Sequence, residues 1–245
     1  MARAPVPALA ALAGVGYLAA LLALDRGATR PEQLGLGVAT WIVLAAVLLR
    51  SNVERRAQVI GVVCFATLGE FTGSLLWGVY RYRLHNIPAF VPPAHGLVFL
   101  TGLALSTSLR RHARTLIVVA TATAASWGLL GLTVLPQRDI AGAFGVPLLL
   151  IFLWRSRSGA LYAGVFLVVA ALELYGTALG TWRWAQHVPV LGIPDGNPPS
   201  GVASGYVWFD VMALLVAPFL VPLLSVRGRR KGAGGGQPPA PSMPG

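Results

Sequence analysis

The amino-acid sequence predicts an all-α polytopic membrane protein of about eight transmembrane helices, built as two parallel four-helix repeats with both termini cytoplasmic. Three observations carry this: the composition, eight apolar runs, and one motif written twice. Of 245 residues, 56% are hydrophobic and 11% charged, against about 25% charged in an average soluble domain. So few charges cannot cover the surface of a soluble chain of this size. The apolar runs at 6–24, 34–49, 57–80, 91–109, 115–135, 141–154, 160–180 and 203–224 are near the length that crosses a hydrocarbon core of about 30 Å. The sixth is short and carries Pro147, a break that neighbouring helices can accommodate.

A formal net charge of +11 would point to nucleic acid if the charges shared one polar face. They flank the apolar runs instead, as orientation signals do. Most of the 19 Lys and Arg lie at the N-terminus, in the loops after runs two, four and six, and in the tail. The positive-inside rule puts those segments in the cytoplasm and the loops 81–94 and 181–202 outside. The expected setting is a multi-pass protein of the cell (inner) membrane, with lipid and no nucleic acid as partner. Residues 227–245, basic and then Gly/Pro-rich, read as a disordered tail able to touch anionic lipid.

The repeat divides the rest into 1–110 and 111–226. Glu70 and Glu173 each open an E-x-x-G stretch that runs into an aromatic-Arg-aromatic triplet, Tyr80-Arg81-Tyr82 and Trp182-Arg183-Trp184. His and Pro follow in both halves, then a diproline, Pro92-Pro93 and Pro198-Pro199. Four spans per repeat give the halves one orientation, related by an axis along the membrane normal.

Each Glu lies about 15 Å along its helix from the following Arg, near the bilayer midplane. A carboxyl there is costly unless it is partnered or protonated, and such acids are functional by default. The symmetry axis would bring both to one cavity, where they are candidate proton donors, with Asp210 in the last span as a third acid. The plainer reading is a pair of acids that only hydrogen-bond helices together. Ser74 and Thr177 stand one turn from the acids, and Gly69/Gly73 and Gly176/Gly180 have the spacing of close helix contacts. Trp77, seven residues after Glu70, shares its face on a regular helix and could stabilise a developing carbocation. The triplets also suit an interfacial aromatic belt. His95, His187 and Asn197 fall in or near the outward loops. Glu70, Glu173, His95, His187 and Asp210 together would suit a divalent iron, manganese or zinc ion, though no ligand spacing backs it.

On these residues the sequence resembles the carotenoid biosynthesis membrane family that includes the CruF-type carotenoid hydratases. The resemblance rests on GVYRY (Gly78 to Tyr82), on WRW (Trp182 to Trp184) and on GIPDGN (Gly192 to Asn197). It covers about 130 residues, chiefly spans three, four, seven and eight. Pro198-Pro199-Ser200-Gly201 stands where that family's pattern has Gly-Trp. The resemblance implies a membrane enzyme that adds water across a terminal double bond of a carotenoid. The residues independently permit acid-assisted chemistry on an isoprenoid alkene, which needs a proton donor, little water and cation stabilisation. In that reading Glu70, Glu173 and Asp210 are catalytic, while the triplets, Trp77, His95, His187 and Asn197 bind substrate. The alternative is a proton-coupled transporter with the same acids at its binding site.

Overall fold

A computed structural model describes residues 6–232 as eight α-helices and one short β-ribbon. The helices are α1 (Val6–Asp25), α2 (Arg30–Leu49), α3 (Val53–Glu70), α4 (Val91–Ser108), α5 (Ala113–Thr133), α6 (Ile140–Arg155), α7 (Gly159–Leu179) and α8 (Val202–Gly232). Helix α3 continues through a π-helical turn, Phe71–Leu76, and the strands are β1 (Tyr80–Tyr82) and β2 (Trp182–Trp184). The ends follow local chemistry. Thr29 and Glu32 form a capping box at α2, the Asn52 side chain caps α3, and α7 stops at Gly180, whose φ of 75° is left-handed.

Eight helices stand where eight spans are expected, and six segments are long and apolar enough to cross a membrane: Val6–Asp25, Arg30–Leu49, Val53–Leu76, Arg110–Thr133, Gly159–Leu179 and Val202–Ser225. The chain is therefore a multi-pass helical membrane protein. Leu12, Ile42 and Phe219, at 69%, 64% and 76% exposure, belong to an apolar exterior that lipid would cover. Helix α6 is apolar but has only 16 residues. Helix α4 carries His95, Thr101 and Ser106 among its buried residues, so protein rather than lipid covers it. Helix α8 runs on to Gly232. Arg3, used for orientation, and residues 233–245 of the expected tail lie outside the described residues.

Among the most extensive helix pairings are α3 with α8 and α4 with α7. Small residues set both. A Cβ on Gly61 would stand 3.0 Å from the Ala213 Cα, and one on Gly164 would overlap the Gly102 carbonyl oxygen. Backbones this close gain dispersion contacts that long side chains would prevent, which drives helix association where no water is expelled. Around these crossings Phe99, Phe166, Leu44, Leu149 and Leu153 are fully buried. Helix α1 packs on α4 and α7, whereas α5 packs on α6 and α7.

The α4–α7 crossing gives a direct test. Gly164→Ala forces a methyl into the Gly102 carbonyl and should cost about 1–3 kcal/mol, the usual range for overpacking. Gly35→Ala meets nothing within 4 Å and should hold or raise stability, because alanine favours helix. Thermal unfolding of both variants in one detergent reads the difference.

Candidate functional site

The two triplets pair with each other. Strands β1 and β2 run antiparallel, with Tyr80 opposite Trp184, Arg81 opposite Arg183 and Tyr82 opposite Trp182. Alternation along a strand sends the four aromatic side chains to one face and the two arginines to the other. Each pair of aromatics binds the glutamate of its own half. The Tyr80 and Tyr82 hydroxyls donate to Glu70 Oε2 at 2.9 and 2.8 Å. The Trp182 and Trp184 indole N–H groups donate to Glu173 Oε2 at 2.9 and 3.2 Å. Burial and the neighbouring Glu70 charge push the Tyr80 and Tyr82 phenols well above their ordinary range, so both remain donors. The rings also pack across the ribbon, Tyr80 on Trp184 at a centroid distance of 4.6 Å.

Glycine makes the return of each triplet to its glutamate feasible. A Cβ on Gly73 would lie 2.9 Å from Tyr80 Cε1, and one on Gly176 would overlap the Trp182 ring. These glycines are slots for the incoming rings. Gly78 and Gly180, two residues before each triplet, both take a left-handed φ, 68° and 75°, and turn the chain back. The halves differ by one residue: Tyr80 lies 10 residues beyond Glu70, and Trp182 lies 9 beyond Glu173. The π-helical turn absorbs the extra residue, as such turns do.

Both glutamates line one cavity of about 200 Å³. Its walls are aliphatic and aromatic, with His95, Tyr206 and Phe209 beside the ribbon rings. Glu70, 6% exposed, is fully engaged, because His95 Nε2 meets its Oε1 at 3.0 Å. That leaves His95 Nδ1 buried without a partner, while the ring stacks against Tyr206 with centroids 5.0 Å apart. Glu173 is different: both of its hydrogen bonds fall on Oε2, and Oε1 takes none. One acid has a partner on each oxygen and the other keeps an oxygen without one.

Several residues grouped with this site by sequence stand elsewhere. Trp77 is 64% exposed and lines a separate surface depression with Ser74, Arg81 and His85. The inserted π-turn residue rotates it by roughly 100° from the face a regular helix would give it. Asp210 is 2% exposed with Oδ2 unpartnered, but it does not line the cavity, because Phe209 holds that face of α8. Arg81 and Arg183 are exposed on the far face of the ribbon. His187 is exposed and bridges to Pro194 within its loop. Asn197 acts from outside the cavity, its Oδ1 accepting the Trp184 backbone N–H at 3.0 Å. Of the five residues considered for a metal, Glu70, Glu173 and His95 share the cavity while His187 and Asp210 stand outside it; among the described residues no three His, Cys, Asp or Glu are placed to hold a metal ion. Tyr206 and Phe209 escaped the sequence reading, although their i, i+3 spacing on α8 marks one face.

The loop after β2 is held by a residue not singled out in the sequence. Asp139, capping α6, accepts the Gly142 and Gly196 N–H groups on Oδ1 and the Ser200 N–H on Oδ2. Asp195 lies beside it, 2% exposed, so its charge is not solvated as a loop position suggests. Burial first, and then the Asp139 charge, raise its carboxyl to about 7 against the lowering effect of the Gly196 N–H. A raised acid binds its proton more tightly folded than unfolded, so its contribution to stability is complete below about pH 4 and is lost as pH rises toward 7. Amide exchange across 186–200 should accelerate between pH 5 and pH 8 beyond the intrinsic rate in the wild type, and this excess should vanish in Asp195→Asn.

The chain matches no family model, no curated protein and no solved structure.

Proposed function

We propose that this protein is an integral membrane enzyme that adds water, or a related nucleophile, to a double bond of a lipophilic isoprenoid. One observation carries the reading. Two buried glutamates, one from each half, open on a single apolar, aromatic-walled cavity with unequal hydrogen bonding. The resemblance to carotenoid hydratases suggests the substrate class. The mirrored Glu–Gly–Gly–triplet pattern and the Arg81–Arg183 register support an ancestral duplication of four spans, with α4 and α6 completing eight. Charge placement supports cytoplasmic termini in the cell's inner membrane, with the ribbon on the opposite side.

In this mechanism Glu173 carries its proton on Oε1, because Oε2 is occupied by the two indoles. The proton passes to the less substituted alkene carbon, and the π electrons form the new C–H bond. The tertiary cation left behind faces the Trp182, Trp184 and Tyr80 rings and the Glu70 carboxylate. Water attacks the cation, and its surplus proton goes to His95 Nδ1. Glu70 holds the Nε2–H and so fixes the tautomer that leaves Nδ1 basic. Transfer of that proton back to Glu173 through water in the cavity closes the cycle with no net change in the protein.

A proton-coupled transporter is the second reading, favoured by the π-helical turn directly after Glu70, an irregularity common at functional sites in helices. Isoprenoid extracts from cells with and without the protein distinguish the two. New hydroxylated products support the enzyme. Identical extracts, together with proton flux into liposomes abolished by Glu70→Gln, overturn it. At matched expression Glu173→Gln should lower turnover by about 10²–10⁴-fold, the usual weight of a general acid, and Asp195→Asn should leave it within a few-fold. The reverse ranking would move the chemistry out of the cavity and into the loop.

A further inference from the structure

Under the ribbon every aromatic N–H and O–H is engaged; on its other face the arginines are not. Arg81 and Arg183 are direct partners in the antiparallel register and both are exposed. Two guanidinium groups, one from each half, thus leave the ribbon side by side. Like charges placed directly opposite destabilise a strand pair. Arg30, Arg50, Arg56 and Arg83 donate to backbone carbonyls, but Arg81 and Arg183 find no acceptor among the described residues.

The inventory of acids leaves nothing to neutralise them. The chain has 8 Asp and Glu. Asp25, Glu70, Asp139, Glu173, Asp195 and Asp210 are buried. Glu54 sits in the first turn of α3, at the end of that helix away from the ribbon. Glu32 is held by the Thr29 N–H and hydroxyl. Around the pair the surface is concave: a depression of about 520 Å³ is lined by both arginines, Arg83, His85 and the turns at Gly78 and Gly180. Arg83 adds positive charge while its guanidinium stays tied to the Asp25 and Ala28 carbonyls.

We propose that Arg81 and Arg183 form a phosphate-binding site on the exposed face of the ribbon. A guanidinium presents a rigid fork of N–H donors that matches a pair of oxygens. One carboxylate satisfies one such fork, whereas a phosphate has oxygens enough for two. The ribbon follows the apolar segments that end at Leu76 and Leu179, which sets its exposed arginines near headgroup depth in a bilayer. The phosphate therefore belongs either to a phospholipid headgroup or to a soluble phosphate ester at the membrane surface. The site lies across the ribbon from the cavity and does not depend on the proton chemistry proposed there.

The test uses the full chain in a neutral detergent and native mass spectrometry, with phosphatidic acid and diacylglycerol of the same acyl chains as probes. The wild type should retain phosphatidic acid and release diacylglycerol. Arg81→Gln combined with Arg183→Gln should weaken phosphatidic acid binding by about tenfold or more, while Arg110→Gln with Arg111→Gln, at exposed arginines before α5, should not. Arg81→Lys with Arg183→Lys keeps the charge and removes the forks, and should fall between. Displacement by millimolar inorganic phosphate would identify soluble phosphate as a ligand; retention against it would identify the lipid. Equal binding by the Gln pair and the wild type, or diacylglycerol binding as well as phosphatidic acid, would overturn the proposal.

Discussion

The structure depends on the cost of two carboxyl groups placed where water is scarce. A buried acid must be paired or hydrogen-bonded, and here the donors come from the short ribbon that follows each acid-bearing helix. That demand propagates outward. The rings can return only over glycines, and the chain can reverse only through two left-handed residues. The two returning segments then satisfy their own backbones by pairing with each other. Asn197 and Asp139 hold β2 and its loop in turn. Removing the ribbon would leave both glutamates short of donors, so ribbon and acids stand or fall together.

The two copies of the motif share one arrangement and differ in their hydrogen-bonding groups. Tyrosine hydroxyls can accept a hydrogen bond while donating one; indole N–H groups can only donate. The Glu70 side thus keeps hydroxyls able to do both, and the Glu173 side fixes one carboxyl oxygen with donors alone. A second difference follows the diprolines. His95 stands two residues after Pro92-Pro93, and Gly201 holds the same place after Pro198-Pro199. Only the first half supplies an imidazole to the cavity. A fully symmetric pair would give two acids of equal character, whereas these substitutions give the two acids different hydrogen-bond partners.

Much of this was legible in the sequence because it was written twice. The Glu, the Gly and the triplet recur together, and a recurring intramembrane acid points to a shared site whatever the chemistry. The helices were legible from apolar runs, though α4 and α6 show that an apolar run can be covered by protein or fall short of a span. What could not be read was rotation and burial. Nothing in FTGSLL marks a π-helical turn, so Trp77 was placed on the Glu70 face. Asp210 and Phe209 differ by one position, which on a helix decides which of them meets the cavity. Asp195 sits in a polar loop whose burial is imposed by Asp139, far back in the chain.

The route by which an apolar molecule could reach the acids is constrained by what holds each wall. Opening the ribbon side breaks four hydrogen bonds to the buried carboxyl groups, and each loss leaves a buried polar group short of a partner. The α1 side presents Leu18, Leu21 and Leu22 to the cavity; α1 packs closely on α4 and meets α2 beside it mainly through two hydrogen bonds, Tyr17 to Thr40 and Gln33 to Asp25. In a bilayer, leucine contacts with protein can be exchanged for contacts with lipid at little cost, because the two surroundings are equally apolar. The wall closed by leucines therefore opens without stripping donors from either glutamate, and it faces the medium in which a lipophilic molecule dissolves.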